Sequence, residues 1–443
     1  MVLQIKIGIL LQNILTLLLL FLLLPFNLLF VSFVVLLSVF RSKSPRSSSK
    51  TVMISGAKMT KALHLARAFY LGGYRVILLE THKYWLVGSR FSWCIDRFYT
   101  VPDCGSPDYS DSLLEIVKKE KVDIYVPVCS PVASYYDAKA IPVLSEYCQV
   151  FQPSAEVVAL LDNKYSFGKT AQEFGLRVPE SYIITDRQQV IDFDFSRSVH
   201  SYILKSIKYD AVRRLNLTKL PCETKEKTIE FVNSLPISLD NPWIMQEFIP
   251  GTEYCTHSTA RNGQLRVHCC CQSSPFQVNY QSVRHPQILN WVETFVQKMN
   301  LTGQISFDFI HSAIDDQVYP IECNPRTHSA ITLFYNHPHL AAAYVEDELQ
   351  KTIEPLPDSR PTYWLYHELW RLITHLQDLT IVKERLKTII NGQEGIFSWT
   401  DPLPFLMVYH WQIPLLLLRD LIEQKGWVRI DFNIGKLVQP EGD

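Results

Sequence analysis

The chain has no excess charge of either sign: 43 basic residues stand against 44 acidic ones in 443. A net charge near zero supplies none of the basic field that nucleic acid demands, so nucleic acid is not an expected partner. The 10 cysteines contain no C-x-x-C pair and no disulfide-framework spacing, and are expected to be reduced thiols in a cytosolic setting. Cys269, Cys270 and Cys271 must alternate faces on a strand and cannot all ligate one ion. Cys255, His257, His268 and Cys271 would serve as a zinc set, but burial of small hydrophobes on adjacent strands is the favoured account. G-x-G-x-x-G, G-x-x-x-x-G-K-[ST] and G-x-S-x-G are all missing, which argues against dinucleotide, P-loop and nucleophile-elbow sites. No internal repeat appears.

What is present begins with an almost wholly apolar run over residues 7–40, longer than the roughly 20 residues that cross a bilayer core. Pro25 and Asn27 lie inside it, so a single kinked span competes with a helix pair dipping into one leaflet. Arg41, Lys43, Arg46 and Lys50 follow, and positive flanks stay cytoplasmic. The chain is therefore expected to be membrane-associated through residues 7–40, with a cytoplasmic soluble part. Deleting residues 1–40 is expected to leave that part soluble and active. The length allows two or three domains with sizeable cores. Residues 1–50 form the membrane segment and a basic, Ser-rich tether.

Residues 51–150 read as a small α/β domain: a buried strand TVMIS, a helix over 59–71 stopped by Gly72-Gly73, the strand RVILLE, a helix over 110–120 and the strand DIYVP. The turn Ser55-Gly56-Ala57-Lys58 is expected as a helix N-terminus facing an anionic substrate. Residues 177–250 read as an α+β lid, in which Lys205 is the one charge on the strand YILKS. Such a lysine either snorkels or reaches a phosphate.

The chemistry gathers at 302–329. Gln304–His311 and Gln317–Cys323 alternate apolar and polar around Asp315-Asp316, which predicts a β-hairpin. With side chains repeating every second residue, Asp308 projects from one face of its strand, Glu322 and Asn324 share a face of theirs, and Arg326 follows. Carboxylates crowded in this way repel unless a cation lies between them, and few hard oxygen ligands suit Mg²⁺ completed by waters and phosphates. A solvated acidic face paired with the arginine is the plainer alternative.

SFDFI followed by IECNPR resembles the metal-binding end of the ATP-grasp ligases. The resemblance implies an α/β protein of ATP-grasp fold. Its parts would be the small N-terminal α/β domain, an ATP-grasp domain over 151–345 containing the α+β lid, and a C-terminal region 346–443 packed on the core or the membrane. It also implies that Asp308, Glu322 and Asn324 hold Mg²⁺ (Mn²⁺ being the substitute) against ATP, with Arg326 facing the reacting group. Lys164, in Asp162-Asn163-Lys164, and Lys205 would contact the phosphates. Within WIMQEFIPGTE, Gln246 and the main chain of Glu247, Phe248 and Ile249 would clamp adenine, and Glu253 the ribose. In the polar stretch 208–220, Arg213 and Arg214 either close over phosphates or an acidic substrate or belong to a solvated loop. His257, Tyr280, Arg284 and His328 are candidates to line the acceptor pocket, a satisfied core histidine being the plainer account of His257.

Over nearly the whole chain the resemblance narrows to the cyanobacterial ligases that join glycine to 4-deoxygadusol to give mycosporine-glycine. ISGAKMTKALHLAR, YILKSIKYDAVRRL, IECNPRTHSAIT and DPLPFLMVYHWQIPLLLL are among the stretches that carry it. It implies ATP-dependent carbon–nitrogen bond formation with a cyclohexenone and glycine as small-molecule partners. A carboxylate–amine ligase working through an acyl phosphate, and a membrane-tethered ATP-binding module without turnover, are the alternatives.

Overall fold

The computed structural model describes residues 2–38, 47–128, 130–197, 200–207, 213, 216–273, 279–347 and 351–439. The short apolar runs of residues 51–150 become a five-stranded parallel sheet. Its strands are β1 (Thr51–Ile54), β2 (Arg75–Thr81), β3 (Arg97–Val101), β4 (Ile124–Val126) and β5 (Gln149–Val150), in the order β3-β2-β1-β4-β5. β1 and β4 are buried along their whole length, as strands covered on both faces must be. Gly56 after β1 has φ +74°, a left-handed conformation that costs glycine little, and the helix Thr60–Leu71 follows.

The lid sheet comprises β6 (Ser181–Ile184), β7 (Tyr202–Ser206), β8 (Lys219–Leu220) and β9 (Trp243–Glu247), antiparallel in the order β6-β9-β7-β8. It has its own core, in which Ile184, Tyr202, Leu220, Val232, Trp243 and Met245 pack together.

Then come β10 (Gly251–Arg261), β11 (Gln264–Gln272), the short β12 (Asn279–Tyr280) and β13 (Ser282–Val283), β14 (Gly303–Ser312) and β15 (Val318–Asn324). The central sheet runs β13-β11-β10-β14-β15, all antiparallel. The amphipathic helix Pro286–Lys298 covers one face: Trp291 packs 5.3 Å from both Phe307 and Phe309, measured between ring centres. Burying those phenylalanines turns the intervening residues of β14, Ser306 and Asp308, to the other face.

In the C-terminal region β12 pairs with β16 (Thr362–Tyr363), which pairs with β17 (Gln393–Glu394), and β18 (Arg429–Asp431) pairs with β19 (Lys436–Val438). Residues 403–423 are helical, with a π turn at Val408–Gln412, and bury Val408, Tyr409, Ile413 and Leu417 in the main core.

The apolar leader is one continuous helix, Val2–Ser38, running through Pro25, so the alternative of two helices dipping into a leaflet is not observed. Gly8–Ser38 and Leu403–Glu423 are the two helices among the described residues that are long and apolar enough to cross a membrane.

Candidate functional site

The β14–β15 register places Asp308 directly opposite Glu322 and Ser306 opposite Asn324, so all four side chains share one face. A one-residue register shift follows Asp308. Three cations converge on this face. Lys164, the first residue of the helix Lys164–Glu173, holds its Nζ 3.4 Å from Glu322 Oε1. Arg326 donates to Asn324 Oδ1 and lies 3.1 Å from Asp162 Oδ1. Lys205 donates from β7 to Gln246 Oε1 at 3.0 Å. Asp162-Asn163-Lys164 thus supplies three successive roles, since Asn163 Oδ1 caps the helix by accepting from Tyr165 and Ser166 N–H.

The electrostatics follow from crowding with little water. Burial raises the Asp308 carboxyl above its usual range, and the charges of Glu322 and Glu253 raise it further. Burial also opposes ionisation of Glu322, but Lys164, Lys205 and Arg326 outweigh it and hold Glu322 low. Burial pushes Lys205 down to about 8. One carboxyl of the pair therefore keeps its charge and the other holds a proton, which a divalent ion would displace.

The donor set fits such an ion. Among the described residues no group of three or more His, Cys, Asp or Glu side chains gathers as a metal site. Two carboxylates and an amide oxygen would leave coordination positions for phosphate and water, the habit of Mg²⁺. Among the described residues, the buried Ser306 hydroxyl, on the Asp308 face, and the buried Thr327 hydroxyl beside Arg326 have no hydrogen-bond partner.

The strand expected to clamp a base is buried and partly committed. Gln246 joins Lys205 to Ser181 Oγ, the second contact at 3.4 Å. Glu247 N–H donates to Glu180 O at 2.8 Å, and its carboxylate accepts Glu180 N–H at 3.0 Å and lies 2.9 Å from His200 Nδ1. Phe248 N–H donates to Ser201 O at 2.8 Å, and Lys219 Nζ sits 4.1 Å from its ring centre. Of the main-chain groups expected to meet a base at 247–249, the N–H groups of Glu247 and Phe248 are engaged by the lid sheet and its flank. Ile249 is buried beside them. Glu253 is exposed near the start of β10, and its charge acts on both Lys205 and Asp308. Arg213 is partly buried in the loop after β7, while Arg214 lies outside the described residues.

A second polar group adjoins Arg326. His328 N–H donates to His257 Nδ1 at 3.2 Å, and the Tyr280 ring meets the His328 ring edge-on at 5.4 Å. Burial, reinforced by Lys61 and Arg326, drives His328 down to about 3, and burial drives His257 well below its ordinary value, so both imidazoles are neutral. Of the four expected acceptor residues these three come together. Arg284 does not: it follows β13, at the opposite edge of the sheet from β15, and lines a separate cavity of about 110 Å³ with His268 and Glu354. The Cys255, His257, His268 and Cys271 set is buried as expected, with His268 Nδ1 turned to Ser258 Oγ at 3.1 Å.

Several residues at the site gave no local signal. Lys61, on the first helix of the parallel-sheet unit, donates to Thr327 O at 2.5 Å. Asn433, in the β18–β19 turn, donates to Ser329 Oγ at 2.7 Å while its carbonyl accepts Thr60 N–H at 2.8 Å. Ser134 Oγ donates to Pro325 O at 3.1 Å. The turn 325–329 is thus held by three elements remote in sequence.

No protein-family model and no curated protein matches the chain in sequence. Solved structures match it in fold. N5-carboxyaminoimidazole synthetase from Staphylococcus aureus aligns at 15% identity with a TM-score of 0.52, covering 72% of this chain and 83% of that one. The biotin carboxylase domain of the Hydrogenobacter thermophilus 2-oxoglutarate carboxylase, complexed with MgADP, ADP and bicarbonate, aligns at 11% identity with a TM-score of 0.51, covering 68% and 71%. A Campylobacter jejuni biotin carboxylase in complex with β,γ-ATP aligns at 12% identity with a TM-score of 0.50, covering 68% and 72%. The chain has the ATP-grasp fold, with an apolar N-terminal helix as a candidate membrane segment.

Proposed function

We propose that the chain is an ATP- and Mg²⁺-dependent ligase forming a carbon–nitrogen bond, and that it joins glycine to 4-deoxygadusol to give mycosporine-glycine. The observation that carries the ligase reading is the meeting of Asp308, Glu322 and Asn324 with Lys164, Lys205 and Arg326 around one strand pair. The choice of substrates rests on the sequence resemblance. His328 and Tyr280, both uncharged, pack edge-on beside Arg326, the neighbourhood in which a hydroxylated ring would be held.

Asp308, Glu322 and Asn324 would hold Mg²⁺, which when bound neutralises charge on the ATP phosphates. Lys164 and Lys205 would place the terminal phosphoryl group, Lys205 regaining full protonation beside it. The enol oxygen of the ring attacks the γ-phosphorus, the bond to the β-γ bridging oxygen breaks, and ADP departs. Arg326, steered by Asp162, faces the oxygen that carries the developing negative charge. The glycine amine then adds to the ring carbon bearing that phosphate. The carbon–oxygen bond breaks, inorganic phosphate leaves, and the nitrogen that began as an ammonium sheds two protons overall to become an enamine N–H. No nucleophilic serine or cysteine takes part.

The full chain supplied with ATP, Mg²⁺, 4-deoxygadusol and glycine is expected to form ADP and an ultraviolet-absorbing product together. ADP formed with other amino acids and a carboxylate substrate, and none with the cyclohexenone, would replace this reading with the acyl-phosphate one. No ADP under any pairing would leave a nucleotide-binding module.

A further inference from the structure

The first helix has two unlike sides. Phe21, Phe26 and Leu29 are 70%, 72% and 72% exposed, whereas Asn13, Leu20, Val31 and Val34 are buried. The buried side is fastened to the body over much of its length. Trp427 Nε1 donates to Asn13 Oδ1 at 3.0 Å, Asn27 Nδ2 lies 2.6 Å from both Tyr366 Oη and His410 Nε2, and the rings of Phe30 and Phe397 are 5.3 Å apart. From Asn13 to Phe30 is about 26 Å at 1.5 Å per residue, close to the roughly 30 Å of a bilayer's hydrocarbon.

The seat is the helical stretch 403–423, and its far side belongs to the catalytic body. Gln412 accepts Gly88 N–H at 2.7 Å and donates to Gly435 O at 2.8 Å, and Tyr409 donates to Glu394 at 2.7 Å. A Cβ on Gly88 would come within 2.5 Å of Val408 N, so no layer of lipid fits between them. Non-helical segments meet the first helix near both ends: Gly426 lies beside Ile9, and the rings of Phe397 and Trp399 pack on Phe30. Were this helix to cross a bilayer, its seat and that irregular backbone would be drawn to membrane depth, where lipid-facing loops are not tolerated.

We propose that the first helix lies in the plane of one leaflet, its docked face on the enzyme and its exposed face among acyl chains, making the protein a monotopic enzyme on an anionic lipid surface. The apolar surface continues beyond the helix. Tyr366, Trp370 and Ile373 recur at helical spacing on the helix Leu365–Thr374; the first meets Asn27, and the other two are 62% and 58% exposed. Lys6 precedes the apolar run and Arg41, Lys43, Arg46 and Lys50 follow it, a charge pattern complementary to anionic headgroups at both ends of a helix lying flat. The proposal is independent of the reaction catalysed.

The test adds full-length protein to preformed vesicles of phosphatidylcholine, with and without phosphatidylglycerol. Flotation is expected, stronger on the anionic vesicles. Gln4→Cys and Ser49→Cys, each measured against the unsubstituted protein, are both expected to react fully with a membrane-impermeant maleimide from outside. The double variant Phe21→Ser/Phe26→Ser is expected to lower the vesicle-bound to free ratio by at least about tenfold, with ADP formation unchanged. Protection of position 4 until the vesicles are opened with detergent would overturn the in-plane placement in favour of a span. Absence of flotation, with the exposed face instead covered in a dimer by sedimentation, would overturn the lipid assignment.

Discussion

Polar groups are stabilised in opposite ways at the β14–β15 hairpin and along the first helix. At the hairpin, charges of both signs crowd one face, and each shifts its neighbour: Asp308 is raised and Glu322 held low. Along the helix two asparagines sit in an apolar run, and each is satisfied by a partner more than 300 residues away, Asn27 by Tyr366 and Asn13 by Trp427. Crowded carboxyls that cannot both ionise are relieved by a cation, whose charge would take the place of the proton on Asp308. A satisfied amide needs no such relief and serves as a clasp. On the proposed function the first region binds, whereas the second holds the helix to the body.

Glu322→Gln should lower ADP formation by more than about 100-fold, beyond the roughly 10–100-fold lost with a group that only supports a metal ligand. The melting temperature should stay close to that of the unsubstituted chain; retained turnover would remove Glu322 from the metal set. Asp162→Asn leaves Arg326 in place without its anchor and should cost about 10- to 100-fold in kcat, with little change in KM for ATP. An equal loss in both constants would make Asp162 a binding residue.

Removing residues 1–40 uncovers the seat of Leu20 and Val31, worth about 1.5–3 kcal/mol per buried side chain. The truncated chain should unfold at clearly lower denaturant; unchanged stability would reduce the helix to a detachable leader, as the sequence alone suggests. Asn27→Leu should cost only about 1 kcal/mol in the full chain, because Tyr366 Oη and His410 Nε2 still lie 3.0 Å from each other.

The smallest effect concerns pH. Lys205 is pushed down to about 8 by burial, so it is charged below that value and loses its charge as pH rises through it. Phosphate favours the charged form, so ATP affinity should fall severalfold between pH 7 and 9. Lys205→Arg, whose guanidinium stays protonated, should flatten the profile. A flat profile in the unsubstituted chain would show that Lys205 does not meet phosphate.

What the sequence disclosed tracks how local each signal is. The β14–β15 pair was legible because two alternating runs flank Asp315-Asp316, and period two alone puts Glu322 and Asn324 on one face. The parallel strands β1, β2 and β4 were legible as buried runs between turns, whereas β3, RFYTV at the sheet edge, is too mixed to stand out. Lys61 and Asn433 went unseen, and Asp162 was read only as part of the Lys164 motif, because their partners lie far along the chain and nothing in their neighbours announces them. Arg284 was misplaced for the converse reason: it is near Tyr280 in sequence, but β12 and β13 belong to different sheets. The first helix was visible as an apolar run, yet a run apolar on every side has no period to say which face docks.

The proposed metal-dependent nucleotide site is tested most directly by calorimetric titration of ATP into the full chain, with and without Mg²⁺, beside the same titration of Glu322→Gln. Mg²⁺ should tighten ATP binding to the unsubstituted chain and release protons as Asp308 gives up its own, and both effects should vanish in the variant. Equal tightening by Mg²⁺ in the two proteins would contradict the assignment of Asp308, Glu322 and Asn324 as the ion's seat.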